Sequence, residues 1–161
     1  MRDFGIVGAG GAGFPSYAKL AEGADLLLIN GAECEPLLAT DYILLRDELD
    51  LVIDGVLEVI KSTSITKAYI AVKAHNAERL GWKDGERLAE GVFARALPDI
   101  YPLGDEISLI YEATGRLINP GKLPITKGII VYNVETMYNL GRGIRYGEAV
   151  TTKWLTIGGE V

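Results

Sequence analysis

The sequence holds one cysteine and one histidine in 161 residues. A lone Cys34 excludes an internal disulfide, and a reducing, cytoplasmic setting follows as the default. It also excludes an iron–sulfur cluster ligated by this chain alone, which needs about four thiolates. No apolar run approaches the roughly 20 residues that span a bilayer, so membrane association is expected only through a partner. No secretory signal pattern precedes the glycine-rich start. Basic residues are outnumbered 16 to 22, for a net charge of -6. That balance argues against nucleic-acid binding, which needs clustered Lys and Arg. A phosphate would be held by backbone N–H groups rather than by a basic patch. Runs rich in Pro, Ser or Gln are also absent, and so are blocks of one charge sign, which argues against disorder.

What is present reads as one well-buried domain. Hydrophobic residues make up 48% of the chain and mean hydropathy is +0.18. "FGIVG" (4–8) reads as a short buried strand entering a glycine turn, and "SYAKLAEG" (16–23) as a short helix closed by Gly23. A second strand covers 25–30. Residues 41–61 carry Leu45, Leu49, Val52, Ile53, Val56 and Ile60 at helical spacing, with Asp41 as the expected N-cap. A strand follows at 67–73, then a helix capped by Asn76 and running to about Arg95, although Gly81, Gly85 and Gly91 weaken it. Residues 98–103 read as a brief strand, 105–115 as a helix with Gly115 as its C-cap, and 116–127 as a loop. A strand at 127–133, a helix ending at Gly147 and a last strand at 151–159 complete the pattern. Strands separated by helices predict a three-layer α/β/α fold, Rossmann-like, with a mainly parallel sheet. A domain boundary is expected at Gly147, giving units 1–147 and 148–161.

"GAGGAG", Gly8 to Gly13, satisfies G-x-G-x-x-G after a predicted strand. Glycines let a backbone approach a phosphate, and a helix N-terminus behind the loop would add partial positive charge. The competing reading is a tight turn that only needs positive φ. Phe14-Pro15 follows at once, and proline is tolerated only in a helix's first turn, so an ordinary dehydrogenase geometry is not expected. Lys19, one turn on, can reach back to neutralise a phosphate; the alternative is a solvated surface lysine.

In "INGAECEP" (29–36), Glu33 and Glu35 lack the His and Cys partners of a metal site. Two adjacent carboxylates disfavour a Cys34 thiolate, so Cys34 reads as a small semi-buried thiol. The glutamates instead lie beyond a strand's C-terminal end, where open α/β sheets bind ligands. "YPLGDE" (101–106) and "YNVET" (132–136) fall at similar junctions, with helix capping as the plain alternative for Asn133 and Thr136. His75 receives no role.

"GAGGAGFPSYAKL", "INGAECEPLLATDY", "YPLGDEISLI", "TGRLINPGKLP" and "IIVYNVET", in this order, resemble the FMN-binding domain of the C subunit of Rnf-type electron transport complexes. The chain is also similar to the flavin-carrying, NADH-oxidising subunit of respiratory complex I. It is likewise similar to cobalamin reductase and to electron-transfer proteins associated with proline reductase. The resemblance covers essentially the whole chain, and five motifs in order are far more specific than any one. It implies that Gly8, Gly10, Gly11 and Gly13 wrap the FMN phosphate and ribityl chain, with Lys19 near the phosphate. It implies that Asn30 and Glu33 border the flavin, that Tyr101, Gly104 and Asp105 form a second wall, and that Asn133 and Thr136 make the last flavin-contacting turn. Phe14, Glu35 and Glu106 match positions facing the nicotinamide nucleotide.

"VTTKWLTIGGEV" resembles the start of a ubiquitin-like SLBB module. Ser16 stands where threonine is usual. Ala32 stands where the complex I form has aspartate, which points to the Rnf-like branch. The cysteine-rich cluster domain and the helix before the glycine loop are missing, so the resemblance implies a truncated chain. The implied function is FMN-dependent oxidation of NAD(P)H, with electrons leaving to iron–sulfur segments or subunits of a larger, peripheral membrane complex. An ordinary NAD(P)-binding dehydrogenase domain and a non-catalytic assembly module are the alternatives.

Overall fold

The computed structural model describes residues 1–11, 13–20, 23–35 and 37–158. Ala12 of the glycine motif, Pro36, and the parts of the expected helix and last strand at 21–22 and 159 lie outside the described residues. Five strands, β1 (Leu26–Asn30), β2 (Ala68–Lys73), β3 (Arg87–Ala89), β4 (Val92–Leu97) and β5 (Ile129–Asn133), form one sheet in the order β3-β4-β2-β1-β5. Neighbours are parallel except β3, which runs antiparallel to β4 at one edge. The helices are α1 (Thr40–Asp47), α2 (Leu49–Lys61), α3 (Ala74–Leu80), α4 (Glu106–Thr114) and α5 (Val134–Tyr146).

Strand side chains alternate between two cores, as a period of two requires. Leu27, Ile29, Ile70 and Val72 meet Val52 and Val56 of α2 and Met137 of α5. Leu26, Leu28, Ala71 and Val131 meet Leu109 and Ile110 of α4 on the other face. The three-layer, mostly parallel fold expected from the sequence is therefore present. The α2–α5 pair packs backbone to backbone. A Cβ on Gly55 would sit 2.1 Å from the Met137 carbonyl oxygen, and one on Gly141 would sit 1.9 Å from that of Leu51.

From β1 the chain leaves toward β2 and β4, then returns by way of α4 to β5, on the other side of β1. The crevice at the C-terminal ends of β1 and β5 is thus a topological switch point, the place where open α/β sheets take ligands. Asn30 and Asn133 end these strands in register with each other.

Several expected elements differ. The strand at 4–8 is absent. Val7 makes one isolated antiparallel bridge, to Pro15, and Gly8 N–H donates to the Phe14 carbonyl at 2.8 Å. The glycine motif therefore sits at the tip of a hairpin-like loop, not between a strand and a helix. The helix expected after it is a single 3-10 turn, Ser16–Lys19, because proline and glycine bracket too few residues for an α-helix. Consequently β5 remains an edge strand. Lys19 Nζ bonds its Val131 carbonyl at 3.0 Å, and Tyr132 Oη donates to the Ser16 carbonyl at 2.6 Å.

The long helix at 41–61 is broken at Glu48, whose backbone leaves the helical region at φ -128. Asp41 is not its N-cap: Ala39 holds that position, and Asp41 lies in the first turn of α1. Asn76 lies inside α3, which stops at Gly81 with φ 74. The rest of that expected helix is the β3–β4 hairpin. Gly91 turns it at φ 71 so close to the Thr66 carbonyl that a Cβ would lie 2.8 Å away. Residues 98–103 form turns with a cis Tyr101–Pro102 bond, not a strand. Residues 151–158 make no ladder. They are tied down by the Val150 N–H to Phe4 and by bonds to Glu135.

Candidate functional site

Three loops meet at the switch point: the glycine loop, the β1–α1 loop (31–35 and 37–39), and the turn before α4 (98–105). Side-chain bonds help to place each of them. Asn30 Oδ1 accepts from Ala32 N–H at 3.0 Å, and its Nδ2 donates to the Gly104 carbonyl at 2.9 Å. Gly104 N–H donates to Cys34 Sγ at 2.9 Å. A Cβ on Gly104 would lie 2.5 Å from that sulfur and 2.6 Å from the Ala32 carbonyl oxygen, so only glycine fits. Asp105 caps α4 by accepting from Ser108 N–H at 3.0 Å, and Asn133 caps α5 by accepting from Glu135 N–H at 2.9 Å. Thr136 Oγ1, fully buried, accepts from Ala9 N–H at 3.1 Å.

These loops enclose two adjoining cavities that share Ala9, Gly10, Asn30, Gly104 and Asn133. One, of about 320 Å³, is lined by Gly8, Phe14, Lys19, Glu106 and Thr136 besides the shared residues. The other, of about 580 Å³, is lined by Glu33, Glu35, Asp41, Asp105, Glu135 and a segment from Lys153 to Thr156. Most of the residues singled out from the sequence are brought together here. Gly11, Gly13 and Tyr101 line neither cavity, and Tyr101 is 78% exposed. His75 bonds Asp99 and lines neither.

Lys19 lines the smaller cavity, but its ammonium also lies 3.6 Å from Glu106 Oε1. The helix N-termini that face the site are those of α1, α4 and α5, through Asp41, Asp105 and Thr136, and not that of the turn after the glycine loop.

The larger cavity is strongly acidic. Asp41 is 8% exposed, and burial, with the nearby Glu33 carboxylate, pushes its pKa up to about 7; two hydrogen bonds from Asn133 Nδ2 oppose this. Burial also raises the pKa of Glu33, against the pull of the Asp41 N–H on Oε1 at 3.0 Å. Glu33 Oε2 is buried without any partner. Glu135, 2% exposed, is paired with Lys153 and accepts from Trp154 N–H at 3.0 Å. Among the described residues no group of three or more potential ligands could hold a metal ion.

Asp41 as a pocket residue, Glu135 and Lys153 were not evident from the sequence. Asp41 looked like a cap, Glu135 was only part of the stretch 132–136, and Lys153 carries no local signal, since only the fold brings it to residue 9.

The donor and acceptor set suits a phosphorylated flavin. A Cβ on Gly10 would meet no atom within 4 Å, so the loop leaves open space where a ligand could approach the backbone. Across the shared wall, the orphan Glu33 Oε2 lacks a hydrogen-bond donor, which a hydroxyl or ring N–H supplies.

The family model of the Nuo51 FMN-binding domain matches residues 1–142. Cobalamin reductase PduS of Citrobacter freundii is 38% identical over 161 residues, which are 100% of this chain and 36% of that protein. The C subunit of the proton-translocating ferredoxin:NAD(+) oxidoreductase complex of Clostridium ljungdahlii is 34% identical over 165 residues, 99% of this chain and 36% of that one. The chain thus spans about a third of these curated relatives. Among solved structures, an NAD+-reducing NiFe hydrogenase in the H2-reduced state superposes with a TM-score of 0.67 at 25% identity. The match covers 87% of this chain and 28% of that one. The sheet and its helices are therefore shared with proteins whose names describe electron transfer.

Proposed function

The chain belongs to the Nuo51 FMN-binding domain family, and from that membership we propose that it holds FMN at the β1/β5 switch point and oxidises NAD(P)H there. The observation that carries this reading is the pairing of an open glycine backbone with the unpartnered, buried Glu33 Oε2 across two adjoining cavities that share their lining.

In this reading Gly8, Gly10, Gly11 and Gly13 let the loop close on the phosphate and ribityl chain. Lys19 exchanges its contact with Glu106 for the phosphate. Glu33 accepts from the ring or ribityl donors, Asn30 fixes the Gly104 wall that the ring packs on, and Tyr101 and Asp105 extend that wall. Asn133 and Thr136 present the first turn of α5. Phe14, 47% exposed, gives the nicotinamide nucleotide a surface to stack on, with Glu106 lining the same cavity and Glu35 the adjoining one. Bound FMN would supply the hydride acceptor and the change from two-electron to one-electron transfer.

Iron–sulfur centres of other segments or subunits would take the electrons. The working unit is then a cytoplasmic, Rnf-like assembly, peripheral to any membrane. Among the described residues no helix is long and apolar enough to cross one. Residues 1–147 form the flavin unit in this reading, and 148–161 begin an SLBB-like module. An ordinary dehydrogenase is disfavoured, because the glycine motif lies on a hairpin-like loop without the strand–turn–helix setting of dinucleotide folds.

Titration of the purified chain with FMN tests the reading. Quenched flavin fluorescence and retained yellow colour are expected, followed by anaerobic bleaching with NADH or NADPH. A stable, folded chain that leaves FMN fluorescence unchanged would sink it and favour the assembly module.

A further inference from the structure

The glycine loop has little packing of its own, since Cβ atoms placed on Gly10, Gly11 and Gly13 would touch nothing within 4 Å. Its position therefore depends on a few directed bonds, and two of them converge on Ala9. The Ala9 N–H donates to Thr136 Oγ1 at 3.1 Å, and the Ala9 carbonyl accepts from Lys153 Nζ at 3.1 Å. The lysine is itself fixed, because the same ammonium pairs with the almost fully buried Glu135 carboxylate, whose other oxygen takes the Trp154 N–H. Thr136 and Glu135 are successive residues in the first turn of α5. Lys153 comes from a segment beyond residues 1–142, the part matched by the family model.

We propose that Lys153 is a positioning residue that clamps the glycine loop through the Ala9 carbonyl, so that the segment after α5 completes the phosphate cradle. Its binding consequence rests on the FMN reading above. A clamp on the loop tip acts on the phosphate end of the ligand. Its loss therefore falls more heavily on FMN than on riboflavin, which shares the ribityl chain but has no phosphate.

Lys153→Met alone would leave Glu135 buried without its partner and could unfold the chain. The test variant is therefore Lys153→Met combined with Glu135→Gln, with Lys153→Arg as the conservative rescue. Two measurements are made: amide hydrogen exchange at residues 8–11 in the ligand-free protein, and dissociation constants for FMN and riboflavin. The double variant should exchange faster at the loop. It should bind FMN about tenfold more weakly, as expected for loss of a charge-assisted bond. Riboflavin affinity should stay within about twofold, and Lys153→Arg should restore both readouts. Unchanged exchange at residues 8–11 would overturn the clamp. Equal weakening of FMN and riboflavin would overturn its selectivity for the phosphate end. If the unmodified chain binds no FMN, the proposed function falls, while the exchange measurement still decides the clamp.

Discussion

The two adjoining cavities share a wall but differ in chemistry. The smaller is lined by glycine backbone, Thr136, Lys19 and Glu106, so it offers fixed dipoles and one ammonium matched by a single carboxylate. The larger is lined by Glu33, Glu35, Asp41, Asp105 and Glu135 against a single lysine, Lys153. An anion placed among those carboxylates would meet like charge in a partly desolvated setting, a costly arrangement. The contrast therefore assigns an orientation to any ligand with one anionic end and one donor-rich end. The anion goes to the glycine side, and hydroxyls and ring N–H groups go to the carboxylate side.

The strongest way to break the contrast is to damage the wall both cavities share. Gly104→Ala should destabilise the fold by about 1–3 kcal/mol, as overpacking against fixed neighbours does. Urea unfolding would show it, and FMN binding should fail together with it. Next is Asp41, on the acidic side. Its folded pKa of about 7 lies above the ordinary value of 3.8. The stability this residue allows is thus fully present below pH 3.8 and is lost as pH rises toward 7. Asp41→Asn should gain on the unmodified protein by about 2–3 kcal/mol between pH 5 and pH 8. Denaturant melts at the two pH values would measure that gain, and a constant difference would refute the assignment.

On the glycine side, Thr136→Val strands the Ala9 N–H and should weaken FMN binding by about 0.5–1.5 kcal/mol. Fluorescence titration reads this, and no change would remove Thr136 from the loop's support. The smallest expected effect is that of Phe14→Ala, which should alter stability by less than about 0.5 kcal/mol, as exposed sites do. It should still raise the concentration of NADH needed to bleach bound FMN, and an unchanged requirement would exclude stacking at Phe14.

Local signals made much of this legible. β1 was readable as a continuous apolar run, as buried parallel strands are, and β2 from its alternation. The ends of α4 and α5 were readable from Asp105, Gly115 and Gly147, whose chemistry is local. The break at Glu48 was not, since apolar spacing continues across it from Leu45 to Leu49. The β3–β4 hairpin was mistaken for helix because its decisive feature is backbone turned by Gly85 and Gly91 at positive φ. At the site, the glycine loop and Glu33 carry short-range patterns. Lys153 reaches Ala9 across 144 positions. The burial that raises the Asp41 pKa is likewise a property of the assembled fold.

The edge strand β5 has one more consequence. Its five residues are mostly buried and apolar, and they lie at the open end of a parallel sheet. Such an edge is a template for pairing with a second chain. Lys19 occupies the Val131 carbonyl, and the turn containing Ser16 lies against Tyr132. The segment that carries the glycine loop is thus also the guard on this edge. Trimming residues 1–20 would open β5 to strand addition, so the shortened chain should aggregate rather than persist as a soluble domain that has merely lost its cofactor.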